Sequence, residues 1–146
     1  MKEKMNQILS RHAKEHSGLL GAAFYDFASG TEVYAEKDTV FPTASTFKVF
    51  LLAELLRQCE AGKHSLQDRV ELTEDAKSPG SGVLQCLQNG AKLTLEDYAV
   101  LMMILSDNSA TDLLYDLVGG ENIHTHIVEQ ACGLSKTRCD LRCKEL

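Results

Sequence analysis

The chain is predicted to be an α+β protein, mainly helical, in which an N-terminal β-hairpin precedes a helical body. Three observations point that way. Residues 19–27 and Thr31–Ala35 are loosely alternating apolar stretches separated by Ala28-Ser29-Gly30, the composition of a hairpin turn. Residues 47–56 and 95–105 are apolar segments of helical length. Gly62, the Gly119-Gly120 pair and Gly133 stand where helical segments should stop.

Taken in order, residues 1–16 are polar and helical in character, with Met5, Ile8 and Leu9 on one side. Pro42 closes the extended part. The next helix is predicted over residues 45–61. Its first half is broken only by Lys48 and Glu54 and is apolar nearly all round, as in a helix at the middle of a domain. Val70 and Leu72 suggest a short extended piece, and Ser78-Pro79-Gly80-Ser81-Gly82 a loop. Residues 83–87 suit one or two helical turns, and Asn89-Gly90 a reverse turn. Thr94 with Asp97 resembles a capping box opening a helix over 95–105. Ser109 with Asp112 opens another over 110–118, and a last helix covers 121–131. No repeat or linker divides the sequence, so residues 1–146 are read as a single domain.

Composition narrows the function. With 44% hydrophobic and 25% charged residues the chain is ordinary for a soluble protein. A formal charge of -6, without any run of Lys or Arg, argues against nucleic acid as a partner. No apolar run is long enough to span a bilayer, so no membrane partner is expected. The N-terminus lacks the apolar core of a signal peptide. The chain as written is read as cytoplasmic, or as secreted if a leader was removed. The five cysteines, Cys59, Cys86, Cys132, Cys139 and Cys143, are odd in number and irregularly spaced. That fits a reducing compartment better than a disulfide framework. Neither Cys139 with Cys143 nor His124 with His126 is completed by a second ligand pair, so neither a structural metal nor a cofactor is expected. His12, His16, His64, Cys59 and Cys86 have no motif context.

Chemistry is suggested by Ser45-Thr46-Phe47-Lys48 at the mouth of the first apolar helix. A serine and a lysine three apart share one helix face and can touch. The hydroxyl sits at the positive end of the helix dipole. An amine desolvated enough to lose its proton can take the hydroxyl's, which activates a serine without a histidine. Lys48 lies in an apolar segment, where an ammonium is costly unless paired or neutral. On its own the tetrapeptide reads as a helix cap and a snorkelling lysine. The second element is Ser106-Asp107-Asn108, three short polar residues leaving an apolar helix. Alone, these read as helix-terminus capping.

In this order, S-x-x-K followed by S-D-N resembles the class A β-lactamases and penicillin-binding proteins. Phe41-Pro42-Thr43-Ala44, Pro79-Gly80-Ser81-Gly82 and Leu93-Thr94-Leu95-Glu96-Asp97 carry the likeness further, over residues 18–138. The resemblance implies the hairpin plus the all-helical part of a β-lactamase-like fold. It makes Ser45 the nucleophile that forms an acyl-enzyme with a β-lactam amide, its own N–H being half of an oxyanion hole. It makes Lys48 the acylation base or its electrostatic partner. Ser106 would relay a proton towards the leaving nitrogen. Asn108 would bind the substrate's side-chain amide and orient Lys48, and Asp107 would hold the turn. The implied partner is a small β-lactam or a peptidoglycan-like substrate, and the implied biology is antibiotic resistance.

The sequence also departs from that family. Counting from Thr137-Arg138, the place of the deacylating carboxylate holds Cys143, and Glu145 two residues on is the candidate for that general base, if a loop absorbs the shift. The K-T-G strand has no counterpart, since Lys136-Thr137 is followed by Arg138. The C-terminal sheet strands are missing, and with them the second oxyanion donor. These departures lead us to expect a partial domain, weakly active or inactive, whose open sheet edge invites self-association. The alternative is a non-catalytic relative acting as a penicillin-binding or self-associating module.

Overall fold

The structure is a computed structural model and describes residues 1–140 and 142–145. They fall into two compact units, Met1–Pro42 and the chain from Thr43 onward.

In the first unit, helix α1 (Lys2–Glu15) leads into strands β1 (Ala22–Asp26) and β2 (Thr31–Ala35). The strands pair antiparallel, with Phe24 opposite Val33 and Asp26 opposite Thr31. The turn closes as its residues dictate. The Asp26 carboxylate accepts from the Ala28 N–H and the Ser29 hydroxyl, and Gly30 takes φ 65°, open to a residue without Cβ. Val33 is buried, and Met5, Ile8 and Leu9 of α1 are half-buried, which matches the apolar side read from sequence. The sheet has only these two strands, so each keeps an unpaired edge among the described residues.

The second unit is a helical body. Its helices are α2 (Lys48–Glu60), α3 (Leu95–Leu105), α4 (Asn108–Val118) and α5 (Gly120–Asn122), the last continuing as a π-helix over Ile123–Ala131. The core is built from Leu51 and Leu55 of α2, Leu95, Tyr98 and Met102 of α3, and Leu114 and Val118 of α4. Each set is spaced three or four apart, which puts it on one face of its helix. Among the described residues no helix is long and apolar enough to cross a membrane.

Several boundaries differ from the expectation, each for a local reason. Residues 45–47 belong to a 3-10 turn, Ala44–Phe47, and α2 begins at Lys48. Lys92–Thr94 is a strand, β4, paired antiparallel with β3 (Arg69–Glu71), not the run-in to a helix. Thr94 then serves twice, ending β4 and capping α3 through a complete capping box with Asp97. Helix α4 opens at Asn108 because Asp107 is its cap, with a carboxylate oxygen 3.0 Å from the Ala110 N–H; Ser109 instead bonds Ser78. The last helix is π-wound, with Cys132 N–H bonding Ile127 C=O at 2.9 Å, five residues back.

Helix α2 also inverts its sequence pattern. Its two charged residues in the apolar run, Lys48 and Glu54, are buried, while Val49 and Leu56 are exposed. Glu54 is tolerated inside because it is saturated. Arg57 grips it with two bonds of 2.7 and 2.8 Å, and Gln58 adds a third at 2.7 Å. Burial pushes the Glu54 carboxyl up, but the bonds from Arg57 and Gln58 outweigh it and leave the group below its ordinary value.

Candidate active site

Ser45 sits on the 3-10 turn, just after Ala44, whose φ of 44° is unusual for a residue with a Cβ. That kink delivers Ser45 to the surface, where its side chain is exposed. Its hydroxyl caps nothing: the cap of α2 is Phe47, without a side-chain bond. Lys48, the first residue of α2, is only 2% exposed.

The Lys48 amine reaches the turn between α3 and α4. It lies 2.7 Å from the Ser106 carbonyl, 2.8 Å from Ser106 Oγ and 3.1 Å from Asn108 Oδ1. Ser106 Oγ is in turn 2.8 Å from Ser45 Oγ. Sequence spacing suggested that Ser45 and Lys48 would meet directly. Here the link between them is carried by Ser106. Hydroxyl hydrogens rotate to suit their partners, so this line of atoms can pass a proton from Ser45 through Ser106 to a neutral amine.

The turn is fixed from behind. Ser106 adopts φ 53°, the left-handed conformation that ends α3 and swings its side chain toward Lys48. Asp107 is fully buried, and its carboxylate accepts from Val83 N–H at 2.6 Å, Leu84 N–H at 3.0 Å and Ala110 N–H. Asn108 donates to the Pro79 carbonyl at 2.9 Å while its oxygen holds Lys48. The loop from Ser78 to Gly82 can approach only because of its glycines. A Cβ on Gly82 would lie 2.2 Å from Asp107 Cγ, and one on Gly80 2.9 Å from Asn108 Nδ2.

Burial pushes the Lys48 amine below the ordinary lysine value, while Cys143, Asp107 and Asp112 nearby pull it partly back. An amine so placed is available as a base nearer neutrality than a solvent lysine. Cys143 is half-buried beside it. Burial first, then the Asp112 charge, push the Cys143 thiol up to about 11. It is therefore a neutral thiol at physiological pH.

Ser45, Lys48, Ser106 and Asn108 are thus brought together. Glu145 is not part of that cluster. Its carboxylate is exposed and accepts from the Arg142 N–H at 2.7 Å and Nη2 at 3.0 Å. Arg142 holds it below the ordinary carboxylate range. Sequence reasoning passed over one further residue, Asp112, reading it only as a helix opener. Its signal was a carboxylate one turn after Asn108, just ahead of the apolar Leu113-Leu114 pair.

Comparison with known proteins identifies the family. The family model described as the β-lactamase enzyme family matches residues 1–142, and the chain belongs to that family. β-Lactamase L2 of Stenotrophomonas maltophilia is 35% identical over 103 residues, covering 70% of the chain and 34% of the relative. A β-lactamase of Streptomyces albus G is 33% identical over 127 residues, covering 83% and 40%. Among solved structures, a β-lactamase from Sphaerobacter thermophilus superposes with a TM-score of 0.86 at 35% identity, covering 94% of this chain and 51% of its own. PBP-A in its L158E form, an acyl-enzyme complex with penicillin G, superposes with a TM-score of 0.86 at 27% identity, covering 96% and 53%. The chain therefore spans well under half the length of those curated relatives and about half of those structures. It corresponds to the hairpin and helical portion of the β-lactamase fold.

Proposed function

We propose that the chain carries the acylating half of a class A β-lactamase-type serine hydrolase, with Ser45 as nucleophile toward β-lactam amides. The observation that supports this best is the unbroken hydrogen-bonded line from Ser45 through Ser106 to a buried Lys48. In this reading Lys48 is the acylation base, working through the Ser106 hydroxyl. Once the acyl bond forms, Ser106 hands the proton on to the departing nitrogen. Asn108 orients Lys48 and offers its amide to the substrate. The Ser45 N–H supplies one oxyanion donor.

Deacylation is a separate matter. The two groups at the place of the water-activating carboxylate are unsuited to it. Cys143 is a neutral thiol and Glu145 is bound to Arg142. This favours the second reading as the behaviour in practice: a penicillin-binding relative whose adduct outlasts turnover. The edges of the β1–β2 hairpin, which no other strand pairs with among the described residues, add a route to self-association.

Incubation with benzylpenicillin followed by intact-mass analysis tests the proposal. One penicilloyl adduct, mapped to Ser45 and absent from Ser45→Ala, is expected to persist on removal of free drug. A wild-type mass unchanged after prolonged incubation at millimolar drug would end the acylation reading. Rapid loss of the adduct would instead end the penicillin-binding variant of it.

A further inference from the structure

The loop from Ser78 to Gly82 borders the site, and its residues 79–81 are exposed. Water can serve the carbonyls of an exposed loop, so they need no protein partner. Here four in succession have one. The Pro79 carbonyl accepts from Asn108 Nδ2 at 2.9 Å, and the Ser81 carbonyl from the Asn108 backbone N–H at 2.9 Å. The Gly80 and Gly82 carbonyls accept from Gln85 Nε2 at 2.6 and 3.3 Å. Asn108 and Gln85 thus take the carbonyls of the loop alternately.

The two grips share one mount. Asp107 precedes Asn108, and its buried carboxylate accepts the Val83 and Leu84 N–H groups at 2.6 and 3.0 Å. The 3-10 turn Leu84–Cys86, which carries Gln85, is therefore fixed relative to the start of α4. Neither side-chain amide can be turned round. Gln85 faces two carbonyls, which only its nitrogen can serve. Asn108 has its oxygen 3.1 Å from the Lys48 amine, which leaves its nitrogen for Pro79. One Nδ2 hydrogen goes to Pro79, and the other is left for a substrate carbonyl. We propose that Gln85 is a positioning residue for the subsite that takes the substrate's side-chain amide. By holding Gly80 and Gly82 it fixes the loop, and through Pro79 and Ser81 the loop fixes Asn108. That Asn108 meets substrate rests on the reading of Ser45 as nucleophile. The grip of Gln85 on the loop does not.

Two measurements separate the grip from the chemistry. The first is hydrogen exchange of the Asn108 backbone N–H, followed by NMR, and it needs no substrate. In Gln85→Met, which keeps the bulk and loses the donor, this N–H is expected to exchange roughly five- to tenfold faster, as for the loss of one hydrogen bond. The Leu114 N–H, inside α4, should exchange as before. Gln85→Lys, which keeps a donor, should restore the wild-type rate. Gln85→Ala decides the matter should Gln85→Met fail to fold. An unchanged Asn108 rate, or an equal acceleration at Leu114, overturns the proposal. The second measurement is acylation by two compounds. Benzylpenicillin has a side-chain amide, and its parent aminopenicillanic acid has none. Gln85→Met is expected to slow adduct formation with the first by about tenfold and with the second by much less. Equal slowing of both overturns the subsite role. Should neither compound acylate the wild-type protein, the nucleophile reading falls, while the exchange rates still decide whether Gln85 holds Asn108 in place.

Discussion

Ser106 Oγ and Lys48 Nζ lie 2.8 Å apart, and the same oxygen is 2.8 Å from Ser45 Oγ. A single hydroxyl therefore stands between the proposed base and the proposed nucleophile. Ser106→Ala should slow acylation of Ser45 by about 10²–10⁴-fold, the usual worth of a positioned proton-transfer group. Ser106→Gly should lose as much while easing the left-handed backbone at that position. Stopped-flow adduct formation with a chromogenic penicillin reads both. Rates close to wild type in the two variants would mean that Lys48 reaches Ser45 by another path.

The depressed Lys48 pKa sets a pH window. Acylation is expected to rise with pH through the folded-state value, which lies below that of a solvent lysine. The same shift appears in stability. Between the folded and unfolded pKa values the unfolded chain binds more protons on Lys48, so this group makes stability rise with pH. Cys143 acts oppositely. Its folded value is raised to about 11, so its contribution is present below the ordinary thiol range and lost as pH climbs toward that value. Urea unfolding across alkaline pH should show the rising component vanish in Lys48→Met and the falling one vanish in Cys143→Ala.

Asp107 is expected to matter for stability more than for chemistry. Its carboxylate serves three backbone N–H groups, two in the 83–84 turn and one at the start of α4. Asp107→Ala removes a helix cap, about 1 kcal/mol, and strands buried donors at about 1–3 kcal/mol each. A loss of roughly 3–5 kcal/mol in urea unfolding is expected, a large share of a total of about 5–15 kcal/mol. Gly82→Ala, whose Cβ would press on the same carboxylate, should destabilise at the same junction and add less than independently to Asp107→Ala. Full additivity of the two would show that they do not share a site.

The hairpin, the capping box and the 95–105 helix were legible because each depends on neighbours in sequence: Ala28-Ser29-Gly30, Thr94 with Asp97, and an uninterrupted apolar run. The convergence of Ser45, Lys48, Ser106 and Asn108 was legible only as two motifs in order. Neither motif states that Ser106 bridges the other two. Strand β4 was missed because Lys92-Leu93-Thr94 becomes a strand only by pairing with a partner more than twenty residues earlier. The exposure of Val49 and Leu56 beside buried Lys48 and Glu54 defeats any reading from hydrophobicity. Hydrogen bonds, not apolarity, decide which face of α2 turns inward.

The cysteines offer the last check, because their surroundings separate them into two groups. Cys86 and Cys132 are exposed. Burial pushes the thiols of Cys59 and Cys139 up, and Cys143 is raised to about 11. Only a thiolate attacks an alkylating agent at a useful rate. At mildly alkaline pH iodoacetamide should therefore modify Cys86 and Cys132 first, with Cys59, Cys139 and Cys143 lagging until the chain unfolds. Peptide mapping over time reads the order. Early modification of Cys143 would place its sulfur in water. That result would contradict the burial to which the raised Cys143 value is due.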